Sequence, residues 1–314
     1  MDTVLRIGTR GSALALAQAE ETRRRLIAAH PALAAPGAVE IQVVRTTGDR
    51  VQDRPLSEIG GKGLFTKEIE DGLLDGSLDI AVHSMKDMPT RLPEGLIIGA
   101  LLPREDPRDA LFARDEALTG PASLAALKPG AVVGTSGLRR QAQLLALRPD
   151  LRVVPFRGNV DTRLAKLDAG AVDATLLAMA GLKRLGRTDR VSAVLEPQEM
   201  LPAVAQGAIG IECREADDQV RALLSAIHDR DTGDRVAAER ALLAALDGSC
   251  RTPIAALAEL GPDDTLTLTS RVALPDGTEM HEDRRQGHRS EAERLGTEAG
   301  AALRRRIGPR FLAG

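Results

Sequence analysis

The chain has 314 residues, 43% of them hydrophobic, and a formal net charge of −3. That length fits two or three packed domains, and so balanced a charge argues against a general nucleic-acid binder. With aromatics at 1% and neither Trp nor Tyr, base stacking lacks its usual platforms and the core must be built from Leu, Ala, Val and Ile. The two cysteines, Cys213 and Cys250, make no CxxC pair and the five histidines do not cluster, which argues against a structural metal or a disulfide framework. The first residues enter a strand pattern without a basic segment and apolar run, and no stretch is long and apolar enough to span a bilayer. The expected compartment is the cytosol, with no membrane partner.

Taken in order, Val4–Gly8 reads as a buried strand and Ser12–Ala29 as a helix, with Ser12 as N-cap and Leu14, Ala17, Leu26 and Ile27 as its apolar face. A strand over Val39–Thr46, a helix over Leu64–Leu74 and a strand over Leu78–His83 follow. The rhythm then repeats: strand Ala131–Gly134, helix Leu138–Leu147, strand Leu151–Phe156, helix Val160–Asp168 and strand Ala174–Leu177. Alternating strands and helices predict an α/β fold of mainly parallel sheets. Pro103–Pro107 reads as a linker between two such lobes. Beyond Asp229 the pattern changes to a helix over Asp234–Leu246, alternating segments such as Thr265–Thr269 and a last helix over Ser290–Arg306, which read as a small α+β domain. The predicted domains are residues 1–105 with 207–225, then 108–202, then 229–314.

Each strand of the two lobes runs into a polar motif, where ligands bind in open α/β sheets. Two lobes facing each other would make an interdomain cleft. Thr9-Arg10-Gly11-Ser12 joins a cation to a helix start, which suits an anion or an ordinary capped turn. Gly134-Thr135-Ser136-Gly137-Leu138-Arg139-Arg140 repeats that design, and its spacing is neither a P-loop nor a dinucleotide fingerprint. Arg157-Gly158-Asn159 with Arg163, and Arg184 further on, add guanidiniums suited to gripping carboxylates. In His83-Ser84-Met85-Lys86-Asp87, Asp87 is one carboxylate among cations, fit to steady a developing positive charge and to exchange protons. Gly60-Gly61-Lys62-Gly63-Leu64-Phe65 reads as a glycine-rich loop able to carry Lys62 and Phe65 over a site. Cys250, between Ser249 and Arg251, reads as an accessible thiol beside a cation, and Cys213 as a small buried residue.

In combination these motifs, with Leu182-Lys183-Arg184-Leu185-Gly186 and Ala203-Val204-Ala205-Gln206-Gly207, resemble the porphobilinogen deaminase family over essentially the whole chain. The resemblance implies two lobes like those of periplasmic binding proteins plus a small C-terminal domain. It also implies stepwise condensation of four porphobilinogen molecules, with loss of ammonia, to 1-hydroxymethylbilane. By resemblance Cys250 carries a dipyrromethane cofactor through a thioether, and Lys86, Thr135, Ser136, Arg139, Arg140, Arg157 and Gly158 hold that cofactor. Arg10, Ser12, Lys62, Phe65, Arg163, Arg184 and Gln206 would bind substrate, and Asp87 would be the catalytic carboxylate. A monomer is implied, with hand-over of product to uroporphyrinogen-III synthase. Gly137 departs from the family's frequent Ser, removing one hydroxyl donor, and Glu58 stands where some relatives have Lys. The competing expectations are a non-enzymatic two-lobed binding protein for a small anion, and a regulatory sensor domain. The first leaves the third domain and Cys250 unexplained, and the second lacks a helix-turn-helix.

Overall fold

The computed structural model describes residues 4–50, 66–247, 252–308 and 311. The expected loop with Lys62 and Phe65, the Glu58 position and the Gly248-Ser249-Cys250-Arg251 segment lie outside the described residues. The strands in chain order are β1 (Leu5–Thr9), β2 (Val39–Val43), β3 (Ile80–Ser84), β4 (Leu96–Leu101) and β5 (Asp109–Ala113). They continue as β6 (Val132–Gly134), β7 (Arg152–Val154), β8 (Ala174–Ala178), β9 (Ala193–Leu195) and β10 (Ile209–Arg214), and end with β11 (Ile254–Leu260), β12 (Thr265–Ala273) and β13 (Met280–His288).

Two compact units result, the first from Met1–Arg104 with Ala208–Gly233 and the second from Glu105–Gly207 with Asp234–Gly314. The break at residues 104 and 105 falls inside the stretch read as a linker. Unit 1 holds a five-stranded sheet of order β2-β1-β3-β10-β4, and unit 2 one of order β7-β6-β8-β5-β9. In each, the first three strands pair in parallel and the fourth is antiparallel to both neighbours. The sheets are parallel-rich, as expected, each with one reversed strand. The reversed strand is β5 in one sheet and β10 in the other, each the first strand laid down after the chain passes from one unit to the other.

The sheets are buried on both faces, as nearly continuous apolar strands require. In unit 2, Leu111 packs with Val133, Leu144 and Leu176, while its neighbours Ala110 and Phe112 join Phe156, Leu164 and Leu182. Neighbouring strand residues point to opposite faces, so β5 serves both cores. In unit 1, Ile7, Leu26, Ile80, Ile209 and Ile211 are fully enclosed.

The helix Ala13–Ala29 begins where expected, with Ser12 Oγ accepting from Ala15 N at 3.2 Å. Of the expected apolar face, Leu26 is buried and Ile27 packs against the core, but the other buried positions are Gln18, Ala19 and Thr22. The polar members fit because their bonds are made internally: Thr22 Oγ1 donates to Gln18 O at 3.0 Å, and Gln18 Nε2 donates to Ser84 Oγ at 2.8 Å. The C-terminal part of unit 2 is the antiparallel sheet β11-β12-β13 with two helices, Arg230–Ala245 and Ala292–Arg306. Those helices approach so closely at Gly296 that a Cβ there would lie 2.1 Å from the Ala238 carbonyl oxygen.

Candidate active site

In unit 1, β1 ends at Thr9 and delivers Arg10 and Ser12 to a pocket, and β3 delivers Ser84 and Asp87 to the same pocket. Asp87 closes a single 3-10 turn, Met85–Asp87, in which Met85 and the following Met88 are buried while Asp87 is exposed. The apolar side chains thus anchor the turn, and the carboxylate is left facing the pocket. Lys86, between them, is half-buried. The structure places Arg10, Ser12 and Asp87 on one pocket.

His83 and Thr66 also line this pocket. His83 Nε2 stands 3.0 Å from Glu212 Oε2, with both residues buried. The register explains the contact: His83 pairs with Gly210 and Ala81 with Glu212, so the two side chains are diagonal neighbours on one sheet face. Glu70, buried on the helix Lys67–Leu74, has its carboxyl pushed up by burial and further by Glu212.

In unit 2, the helix Leu138–Leu147 places Arg139 and Arg140 on consecutive buried positions. Both meet Asp109, the first residue of β5, which is fully enclosed. Arg139 Nη2 donates to Asp109 Oδ2 at 2.7 Å, and Arg140 donates through Nη2 to Oδ1 at 2.8 Å and through Nε to Oδ2 at 3.2 Å. Burial alone would raise the Asp109 carboxyl, but the two guanidiniums outweigh it and hold it far below the usual range. Gln206, also buried, donates from Nε2 to Asp109 Oδ1 at 2.8 Å and to Pro107 O at 2.7 Å.

Further guanidiniums gather nearby. Burial, and then the Arg140 and Arg157 cations, push Arg163 down to about 10, so these three lie close enough to repel. Arg163 Nε donates to Gly158 O at 2.9 Å, across a turn in which Gly158 has φ +127°, a conformation open to glycine. Thr135 is buried and its Oγ1 accepts from Gly137 N at 3.2 Å, while Ser136 Oγ accepts from Phe156 N at 2.9 Å. Arg184 Nη2 donates to the Gly207 carbonyl at 2.9 Å. An arginine set around one shared carboxylate keeps an excess of positive charge, which fits a ligand rich in carboxylates.

Sequence reasoning missed Asp109, Glu212, Glu70 and Gln18. The available signal was a charged or amide residue inside an otherwise apolar segment, as in Asp109-Ala110-Leu111-Phe112-Ala113, since such residues are buried only when paired. Cys213 is buried as expected, and burial pushes its thiol up to about 11. Among the described residues no three His, Cys, Asp or Glu group as a metal site would, and no helix is long and apolar enough to cross a membrane.

Comparison with known proteins shows the family. The family model for porphobilinogen deaminase, dipyromethane cofactor binding domain, matches residues 5–222, and that for the porphobilinogen deaminase C-terminal domain matches 234–305. The chain is 59% identical over 302 residues to the porphobilinogen deaminase of Paracoccus denitrificans, covering 96% of this chain and 94% of that one. It is 55% identical over 311 residues to the chloroplastic porphobilinogen deaminase of Oryza sativa, covering 98% and 86%, and 53% identical over 310 residues to that of Nitrobacter hamburgensis, covering 99% and 96%. Among solved structures, the periplasmic VFT2 domain of Bordetella pertussis BvgS is similar at 14% identity over 71% of this chain and 86% of that one, with a TM-score of 0.42, too low to bear on function. The two α/β lobes and the cofactor-domain match define a transferase that works with a resident dipyrromethane. The chain belongs to the porphobilinogen deaminase family. The matches support that reading over a non-enzymatic anion-binding protein.

Proposed function

We propose that this chain condenses four porphobilinogen molecules head to tail and releases 1-hydroxymethylbilane, working from a dipyrromethane held on Cys250 through a thioether. The observation that carries the reading, beside family membership, is that Arg139 and Arg140 share a single carboxylate, Asp109, while Arg163 lies close enough to Arg140 and Arg157 to feel their charge. Porphobilinogen carries an acetate and a propionate, and a growing chain accumulates them, so the site needs guanidiniums in excess of its own acids. When bound, the dipyrromethane supplies a nucleophilic pyrrole carbon. Arg139, Arg140 and Arg157, with Lys86, Thr135, Ser136 and Gly158, would hold its side chains. Arg10, Ser12, Lys62, Phe65, Arg163, Arg184 and Gln206 would hold substrate.

In each addition the aminomethyl C–N bond breaks and ammonia leaves, giving an electron-poor azafulvene. A new C–C bond then forms and the ring proton is lost. Asp87 is the group we assign to both charge steps. Exposed in the pocket that Arg10 and Ser12 share, it can steady the cationic ring and then accept the proton. We read residues 229–314 as a domain of their own, the chain as a cytosolic monomer, and uroporphyrinogen-III synthase as the recipient of its product.

The test is intact-protein mass spectrometry with an assay for ammonia. The active chain should carry an adduct of two linked pyrroles that is absent from Cys250→Ser, and should convert porphobilinogen to a linear tetrapyrrole. An active preparation with the bare polypeptide mass would reject the covalent primer, and no ammonia release would reject the reaction.

A further inference from the structure

Asp109 is the most heavily bonded carboxylate around the arginine set, and family membership gives it no role. Its Oδ1 accepts from Arg140 Nη2 and Gln206 Nε2, both at 2.8 Å, and its Oδ2 accepts from Arg139 Nη2 at 2.7 Å and Arg140 Nε at 3.2 Å. The outer nitrogens are fixed too: Arg139 Nη1 donates to Leu201 O at 2.7 Å and Arg140 Nη1 to Leu176 O at 3.0 Å. A guanidinium has five N–H donors, so these bonds orient both side chains and still leave donors over on each.

We propose that Asp109 is a positioning residue: it fixes Arg139 and Arg140 so that their remaining donors form a preset receptor for the carboxylates of acidic pyrroles. The inference deepens the reading of the chain as a porphobilinogen-condensing enzyme and rests on it. Two long cations placed side by side repel and have many rotamers. A shared acid between them removes both obstacles before a ligand arrives, and that is the gain from preorganisation. Gln206 extends the arrangement to the backbone, since the amide that reaches Asp109 also reaches Pro107 O.

Charge alone and positioning predict opposite results. If Asp109 merely offset positive charge, Asp109→Asn would strengthen the local field and bind acidic substrate more tightly. If it positions the arginines, the same change loosens them and weakens binding. An arginine grip is the same before and during reaction, so the effect belongs in KM rather than kcat. Because Arg139 and Arg140 hold the dipyrromethane, the expected result for Asp109→Asn is an adduct-bearing fraction below wild type and, in the chains that do carry the adduct, a rise in KM for porphobilinogen of about tenfold or more, since each entering pyrrole must meet a primer that is no longer fixed. Intact mass supplies the adduct fraction and is a second readout: a folded variant that never gains the adduct also supports the proposal.

Asp109→Glu covers the case in which the asparagine variant does not fold. It keeps the charge but lengthens the arm, so positioning predicts a raised KM here as well, whereas charge balance alone predicts no change. A folded Asp109→Asn or Asp109→Glu chain with the wild-type adduct fraction and a wild-type or lower KM overturns the proposal. A wild-type chain that releases no ammonia would reject the underlying reaction instead, so the two failures are distinct.

Discussion

His83 Nε2 and Glu212 Oε2 stand 3.0 Å apart in the interior of unit 1, tying β3, which leads into the Asp87 turn, to the returning strand β10. Glu70 shares this buried environment, and the ring and both carboxylates are shielded from water.

The cluster predicts a pH effect on stability. Below about pH 4.5 Glu70 is protonated in folded and unfolded chains alike, and its burial adds no charge penalty. Its folded value is raised, so the stability it contributes is full below the unfolded value and is lost as pH rises through the folded one. Glu70→Gln keeps the shape and removes the titration. The difference in melting temperature, variant minus wild type, should grow more positive as pH rises above the ordinary glutamate value of about 4.3. A difference that stays flat or falls would refute the raised carboxyl.

Asp87→Asn removes one charge from an exposed position and disturbs no buried contact. Turnover should fall by about a hundredfold or more, the usual scale for losing an acid–base group. The melting temperature and the adduct mass should match wild type. Substantial turnover in this variant would remove Asp87 from the catalytic role.

Gly296→Ala should destabilise unit 2. The new methyl would sit 2.1 Å from the Ala238 carbonyl oxygen and 2.8 Å from the Ala241 Cβ, so the two C-terminal helices must separate. Overpacking of this kind costs about 1–3 kcal/mol. Urea unfolding would show it, and an unchanged midpoint would mean the helices do not pack as described.

Cys213 should be chemically silent. It is buried on β10 with its thiol pushed up to about 11, so little thiolate exists near neutrality. In a Cys250→Ser background, where Cys213 is the remaining cysteine, iodoacetamide should label the unfolded chain and leave the folded one unmodified. Rapid labelling of the folded chain would contradict the burial.

Much of this was legible because the informative residues are local. The Ser12 cap lies at the start of its helix, Leu138–Leu147 and Val160–Asp168 were bounded to the residue, and Gly158 marked its turn. What stayed hidden depends on partners distant in the chain. Asp109 is unremarkable until Arg139, Arg140 and Gln206 are folded onto it, and Glu212 until β10 is laid beside β3. The reversed direction of β5 and β10 likewise has no local signature, since apolar strands read alike in either direction. The Gln18 face of the first helix was missed because a buried amide resembles a solvent-facing one until Ser84 is placed against it.

The position of β10 also has a bearing on biosynthesis. It lies between β3 and β4, yet it is translated only after the whole of Glu105–Gly207. As the ribosome delivers the nascent polypeptide, β3 and β4 must wait with unmet backbone groups and a gap one strand wide between them. The intervening lobe suffers no such delay, because all five of its strands emerge consecutively. The middle of the molecule is therefore equipped to fold first and its beginning last, and chaperones guarding the newborn protein would find their client at the amino-terminal end.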